Sequence, residues 1–165
     1  MDKIKIVVTG LGVLSPNGNS LNNFWENCLN GVSGIDNITY YNPEGHRVTI
    51  AGELSNFDAK DTLDTKLIRK LDPFSIYALT AANEAISMSE IDFNSCNQDR
   101  IGVTIGTGVG GIQTLEEQHS VIKEKGSKRV SPQFVPRMIS NIAGGHIAMR
   151  WGLRGPHQTV TSACA

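Results

Sequence analysis

The sequence predicts an α/β fold, and three observations carry that expectation. Short apolar runs rich in β-branched residues, Ile4 to Thr9 and Ile101 to Ile105 above all, alternate with segments whose apolar residues recur at helical spacing. Glycine or proline punctuates the joins, as at Gly31, Asp72-Pro73, Gly126 and Gly152. The length of 165 residues suits one sizeable core, and 39% hydrophobic with 19% charged residues is an ordinary globular composition.

Taken in order, residues 4–9 read as a buried strand closed by the glycines of Thr9-Gly10-Leu11-Gly12. Asn19 or Ser20 can cap a helix whose apolar face is Leu21, Phe24, Trp25, Cys28 and Leu29, and Gly31 stops it. Cys28 therefore reads as a core thiol. Residues 32–47 are loop-like, and Val48 to Ala51 could form a short strand. Two helices are expected near 61–71 and 73–89, joined where Asp72 serves as N-cap and Pro73 as first helical residue. In the second, Phe74, Tyr77, Ala78, Ala81, Ala82, Ala85 and Met88 recur at helical spacing and read as its packed face. Cys96 lies in a polar stretch and reads as a loop thiol.

Ile101 to Ile105 is a strand, followed by a glycine cluster and a helix to about Lys125, ended by Gly126. A helix from Arg137 to Trp151 follows, stopped by Gly152 and the Gly155-Pro156 turn. The last strand spans roughly 157–163 and runs into Cys164. The order of elements leads one to expect a covering helix beyond it, so the domain reads as cut rather than finished.

A net charge of −1 gives no general attraction to nucleic acid or to an anionic membrane. No apolar run approaches the roughly 18–20 residues of a membrane span, and the charged first residues are unlike a signal peptide. The three cysteines, Cys28, Cys96 and Cys164, are far apart and odd in number. They favour reduced thiols and a cytoplasmic protein over a disulfide framework.

Gly106-Thr107-Gly108-Val109-Gly110-Gly111 formally matches G-x-G-x-x-G between a strand and a helix, the setting of a pyrophosphate cradle. No acidic residue ends a second strand about 20 residues on, so tight strand-to-helix packing is the favoured reading. No metal is expected either. His46, His119, His146 and His157 are scattered, and no cysteine pair has ligand spacing. Cys164 sits where a strand gives way to small residues, as a nucleophile on a sharp turn does. Spacing alone nevertheless favours a buried structural thiol.

A wider pattern changes that weighting. Val8-Thr9-Gly10-Leu11-Gly12-Val13-Leu14-Ser15-Pro16-Asn17-Gly18-Asn19 resembles the opening of the β-ketoacyl-acyl-carrier-protein synthases, particularly the type II elongation enzymes. So do the 106–111 glycine loop, Ser131-Pro132 with Phe134-Val135-Pro136, Asn141 with Ala143-Gly144, Gly152-Leu153-Arg154-Gly155-Pro156, and the closing Ala163-Cys164-Ala165. Each motif is weak alone. In this order and spacing over the whole chain they are specific.

The resemblance implies a thiolase-like fold, of which residues 1–165 would be most of the N-terminal half of a layered αβαβα arrangement. It implies decarboxylative condensation of an acyl-cysteine thioester with malonyl carried on acyl carrier protein, as in fatty acid elongation. A polyketide-type ketosynthase and a non-catalytic truncated product are the alternatives. Cys164 is the only catalytic residue that transfers, because the family's two histidines and lysine lie in the second half. The 165-residue chain alone is therefore expected to be inactive.

Val109 and Phe134 resemble positions bordering the acyl chain, although either could be core. Lys66, Arg69 and Lys70, with Lys125, Lys128 and Arg129, are solvated surface or a docking site for the acidic carrier protein. No cofactor is expected beyond the carrier's phosphopantetheine arm, and the complete enzyme is expected to be a homodimer.

Overall fold

The computed structural model describes residues 4–162. Cys164 and the end of the last expected strand lie outside the described residues. The chain divides into two compact units, Met1–Asp58 with Thr80–Ile91 and Ala59–Leu79 with Asp92–Ala165.

In the first unit, helix α1 spans Leu21–Leu29. Ser20 caps it by accepting the Asn23 amide N–H at 3.3 Å, and Gly31 leaves it with φ +66°. The bounds agree with the sequence, but the burial does not. Trp25 is 58% and Leu29 69% exposed, and Cys28 is an exposed thiol rather than a core one. Polar contacts hold the helix instead: the Asn27 side-chain amide donates to the Asn17 carbonyl at 2.8 Å, and Asn17 Nδ2 donates to Cys28 Sγ at 3.5 Å.

Strands β1 (Asp36–Asn37) and β2 (Ile50–Ala51) pair antiparallel, with Asp36 opposite Ala51. The expected strand at 48–51 thus contracts to two residues, and its partner comes from the stretch read as loop. Beyond the pair, Glu53 accepts the Thr39 amide and hydroxyl at 2.8 and 2.7 Å and the Tyr40 amide at 3.2 Å. Desolvation would raise the Glu53 pKa, but these hydrogen bonds outweigh it and hold the carboxyl below its ordinary value.

The strand expected over 4–9 has no ladder partner among the described residues. Ile4 is 93% and Ile6 95% exposed. An extended run becomes a strand only when a neighbour takes up its N–H and C=O groups. What anchors this segment lies just beyond it, on helix α3 (Pro73–Ser89). A Cβ on Gly10 would collide with the Ala85 carbonyl, and one on Gly12 with that of Ala81. Glycine on one side and alanine on the other let the two backbones touch. Glu84 Oε2 then accepts the Val13 N–H, and Oε1 the Leu21 N–H, both at 2.8 Å. The deepest stripe of α3 is Ser75, Ile76, Leu79 and Thr80. The expected face is half-buried, with Met88 exposed.

The second unit is built on strand β3 (Val103–Gly106) and strand β4 (His157–Val160), paired parallel with Val103 opposite His157 and Gly106 opposite Val160. Between them run helix α4 (Ile112–Lys125), helix α5 (Phe134–Met138) and helix α6 (Ile142–Trp151). A short helix, α2 (Thr65–Ile68), precedes α3 and is capped by Asp64. Helix α6 buries Ala143, Gly144, Ile147 and Ala148. A Cβ on Gly144 would lie 3.4 Å from Ile105 Cγ1 and 3.6 Å from Val103 Cγ1, so the small residues bring this helix onto β3.

Gly152 ends α6 in the left-handed region at φ +67°. Gly155 donates to the Ile101 carbonyl at 3.0 Å, and a Cβ there would sit 2.7 Å from that carbonyl oxygen. The Pro156 carbonyl then accepts the Val103 N–H at 3.0 Å. The Gly152–Pro156 motif is therefore the stop that returns the chain and starts the parallel ladder. The helix expected over 137–151 is divided at Ile139–Asn141. The Met138 carbonyl, which a continuous helix would give to residue 142, accepts the Gly111 N–H at 2.9 Å instead.

Candidate functional site

The strand that runs toward Cys164 is fixed at Val160, whose carbonyl accepts the Thr107 N–H at 3.0 Å. This bond extends the ladder past β3 and lays the glycine loop beside the end of β4. Thr107 Oγ1 accepts the Gly110 N–H at 3.2 Å and closes the loop on itself. Gly110 has φ +86°, and a Cβ there would lie 2.7 Å from the Met138 carbonyl oxygen. Only glycine meets both demands. Val109, on this loop, is 61% exposed. Phe134 opens α5, half-buried, with its N–H on the Ser131 carbonyl at 3.0 Å. The two expected acyl-bordering residues thus lie on segments joined directly by the Gly111–Met138 bond.

At the start of α4 the N-cap, Gly111, has no side chain to offer. Asp72 supplies the missing acceptor. Its carboxylate is buried, with the residue only 2% exposed; Oδ1 accepts the Phe74 N–H at 3.2 Å and Oδ2 the Thr114 N–H at 2.8 Å. One side chain therefore caps α3 and α4 together, satisfying orphan donors at both N-termini.

That answers the dinucleotide motif. The helix N-terminus where a phosphate would sit already holds a carboxylate, and a second anion there would meet like charge. The glycine is required by the same packing: a Cβ on Gly111 would lie 2.8 Å from the Arg137 carbonyl oxygen and 3.0 Å from Asp72 Oδ2. The sequence made Asp72 visible as a cap for α3. Its bond to Thr114, 42 residues away, had no local signal. Glu84 was missed altogether, the one clue being a carboxylate amid the alanines of an otherwise apolar helix.

Lys66, Arg69 and Lys70 are exposed on and just after α2, and Lys125, Lys128 and Arg129 are exposed at the end of α4 and in the turn that follows. All six belong to the second unit. Of the histidines, His46, His119 and His157 are exposed, while burial lowers the pKa of His146 within α6. Among the described residues no group of three or more His, Cys, Asp or Glu side chains could hold a metal ion, and no helix is long and apolar enough to cross a membrane.

The family model for the N-terminal domain of beta-ketoacyl synthases matches residues 3–165. The 3-oxoacyl-[acyl-carrier-protein] synthase 2 of Staphylococcus aureus (strain MRSA252) is 46% identical over 162 residues, covering 98% of this chain and 39% of that protein. Its namesake in Synechocystis sp. is 39% identical over 165 residues, 100% of this chain and 40% of that one. The chain thus spans about 40% of the length of the curated relatives it matches. Among solved structures, the ishigamide ketosynthase/chain length factor superposes with a TM-score of 0.86 at 23% identity, over 96% of this chain and 40% of that one. A ketosynthase complexed with its type II PKS acyl-carrier protein gives 0.79 at 23%, over 94% and 41%. These likenesses establish the fold, α/β of the thiolase-like kind.

Proposed function

The chain belongs to the β-ketoacyl synthase family, whose N-terminal domain it matches over residues 3–165, and from that premise we propose that it is the cysteine-bearing portion of a 3-oxoacyl-[acyl-carrier-protein] synthase of fatty acid elongation. The observation that carries the reading is the 46% identity over 98% of this chain to a synthase of that name.

In the proposed reaction the Cys164 thiolate attacks the thioester of an acyl carrier protein. The acyl group moves to Cys164 Sγ, and the carrier's phosphopantetheine leaves as its thiolate. Malonyl-ACP then loses carbon dioxide, and the electron pair of the broken carbon–carbon bond attacks the acyl-cysteine carbonyl. Sγ departs as thiolate, and 3-oxoacyl-ACP is released. Cysteine suits both halves, since its thiolate is a strong nucleophile and its thioester an activated acyl donor. Stabilising the developing oxyanion falls to donors outside this chain's four histidines, none of which transfers from the family's catalytic pair. The chemistry calls on no bound cofactor beyond the carrier's arm.

Val109 and Phe134 are proposed to border the acyl chain. Lys66, Arg69, Lys70, Lys128 and Arg129 are proposed to receive the acidic carrier. A homodimer in the cytoplasm completes the reading.

The test is intact-mass and peptide mass spectrometry of the full-length protein after incubation with acyl-ACP, followed by malonyl-ACP. We expect one acyl adduct on Cys164, discharged as 3-oxoacyl-ACP, and no adduct in Cys164→Ala. Condensation that survives in the alanine variant would sink the assignment.

A further inference from the structure

We propose that Asn30 is a site of spontaneous deamidation, in which the Gly31 nitrogen displaces the side-chain amide as ammonia, and that the product loosens the last turn of α1. This holds whatever the chain catalyses. Asn-Gly is the dipeptide most open to such chemistry, because glycine has no side chain to shield the attacking nitrogen. The sequence contains it twice, at Asn17-Gly18 and Asn30-Gly31. The structure treats the two differently.

Asn17-Gly18 is locked. The Gly18 N–H donates to the Ser15 carbonyl at 3.0 Å, and the Gly18 carbonyl accepts the Ser15 N–H at 3.0 Å. The Asn17 N–H goes to Ser15 Oγ at 3.2 Å, and the Asn17 carbonyl takes the Asn27 side chain at 2.8 Å. Its Nδ2, the group that would leave, donates to Cys28 Sγ at 3.5 Å. A Cβ on Gly18 would lie 2.5 Å from the Phe24 nitrogen, so the turn is pressed against the start of α1. Bringing the Gly18 nitrogen over Asn17 Cγ means opening this set of contacts together.

Asn30 and Gly31 are both exposed. Asn30 is the C-cap of α1, at φ −86° and ψ 0°. Gly31 follows at φ +66°, and a Cβ there would have nothing within 4 Å. Its N–H reaches the Cys28 carbonyl at 3.3 Å, and the Val32 N–H reaches the Asn27 carbonyl at 2.9 Å. Rotation about ψ of Asn30 breaks these bonds, and they belong to the end of a helix, where local opening costs least. The Gly31 nitrogen, giving its proton to solvent, then attacks Asn30 Cγ. The Cγ–Nδ2 bond breaks, Nδ2 leaves as ammonia, and a cyclic imide joins the two residues. Water opens the imide at either carbonyl, giving aspartate or an isoaspartate whose main chain runs through Cβ and Cγ. Both products place a carboxylate at the negative end of the helix dipole, one turn after Glu26, in a last turn with no basic residue.

The experiment holds a longer protein that contains these residues in mildly alkaline buffer, folded and in urea. Peptide mass spectrometry, with fragmentation that separates aspartate from isoaspartate, follows both dipeptides. In the folded protein Asn30 should convert faster than Asn17 by roughly tenfold or more, because the rate falls exponentially with the cost of opening. In urea the two should convert at similar rates. Asn30→Asp, which carries one product from the start, should show faster amide hydrogen exchange over 30–32 than wild type. An Asn30 that persists in the folded protein, or an Asn17 that keeps pace with it, overturns the site. A contrast that survives unfolding overturns it too, since the flanking sequence rather than the fold would then set the rates. Exchange in Asn30→Asp equal to that of wild type overturns the loosening of α1.

Discussion

Two carboxylates, Glu84 within α3 and Asp72 just before it, tie distant segments together through backbone amides, and neither forms an ion pair among the described residues. Glu84 divides its oxygens between the Val13 and Leu21 amides, and Asp72 between those of Phe74 and Thr114. Each binds the orphan donor of a helix start to a segment distant in sequence. Truncation leaves such donors unsatisfied, so Glu84→Ala should cost about 1–3 kcal/mol, read as a lower urea midpoint at unchanged slope. An equal midpoint would mean that water replaces the carboxylate without loss. His146 gives a residue-level pH dependence. Burial holds its pKa below the ordinary 6.5, so the unfolded chain binds the proton more readily. The resulting stability is full above pH 6.5 and is lost as pH falls through the depressed native value. His146→Gln should flatten that part of the stability–pH curve. A slope that persists in the variant would place the titration elsewhere.

Elements were legible wherever a terminus announced itself locally. Ser20 and Gly31 bracket α1, Asp72-Pro73 opens α3, and Gly126 and Gly152 close α4 and α6, each by chemistry contained within a few residues. What escaped depends on partners far along the chain. The break at Ile139 follows from Gly111 taking the Met138 carbonyl, and the 4–9 run lacks a strand because no described neighbour offers a ladder. The same distinction separates two glycines. At Gly31 a side chain would enter open space, and the φ of +66° sets the cost at about 1–2 kcal/mol. At Gly12 the Ala81 carbonyl and the Ala85 nitrogen, 2.9 Å away, occupy the site, and overpacking costs about 1–3 kcal/mol with displacement of the 10–13 segment. Gly12→Ala should therefore raise exchange at the Val13 amide, whereas Gly31→Ala should lower stability and leave that amide protected. Equal protection in both would remove the close approach as the reason for Gly12.

At the scale of the whole chain, two stretches of the described residues that are patterned for burial stand exposed. Single exposed apolar side chains are ordinary, but contiguous ones are not. Ile4, Ile6, Val7 and Val8 are exposed within five residues, and Trp25 and Leu29 lie one turn apart on α1. The sequence patterned both stretches for burial; nothing in the pattern could specify which surface does the burying, because that surface is remote in sequence or in another chain. If such a surface belongs to the working protein, the 165 residues expressed alone should bind a hydrophobic dye strongly and self-associate on sedimentation. On the proposed reading, in which none of their four histidines takes a catalytic role, they should also form no 3-oxoacyl product. On the same reading, a longer protein that contains them should do the reverse on all three counts. A monodisperse, dye-silent 165-residue chain would show that these apolar runs need no covering. Condensation by that chain would place the missing proton and oxyanion chemistry within His46, His119, His146 and His157, and the assignment of Cys164 as a nucleophile served from outside this span would have to be abandoned.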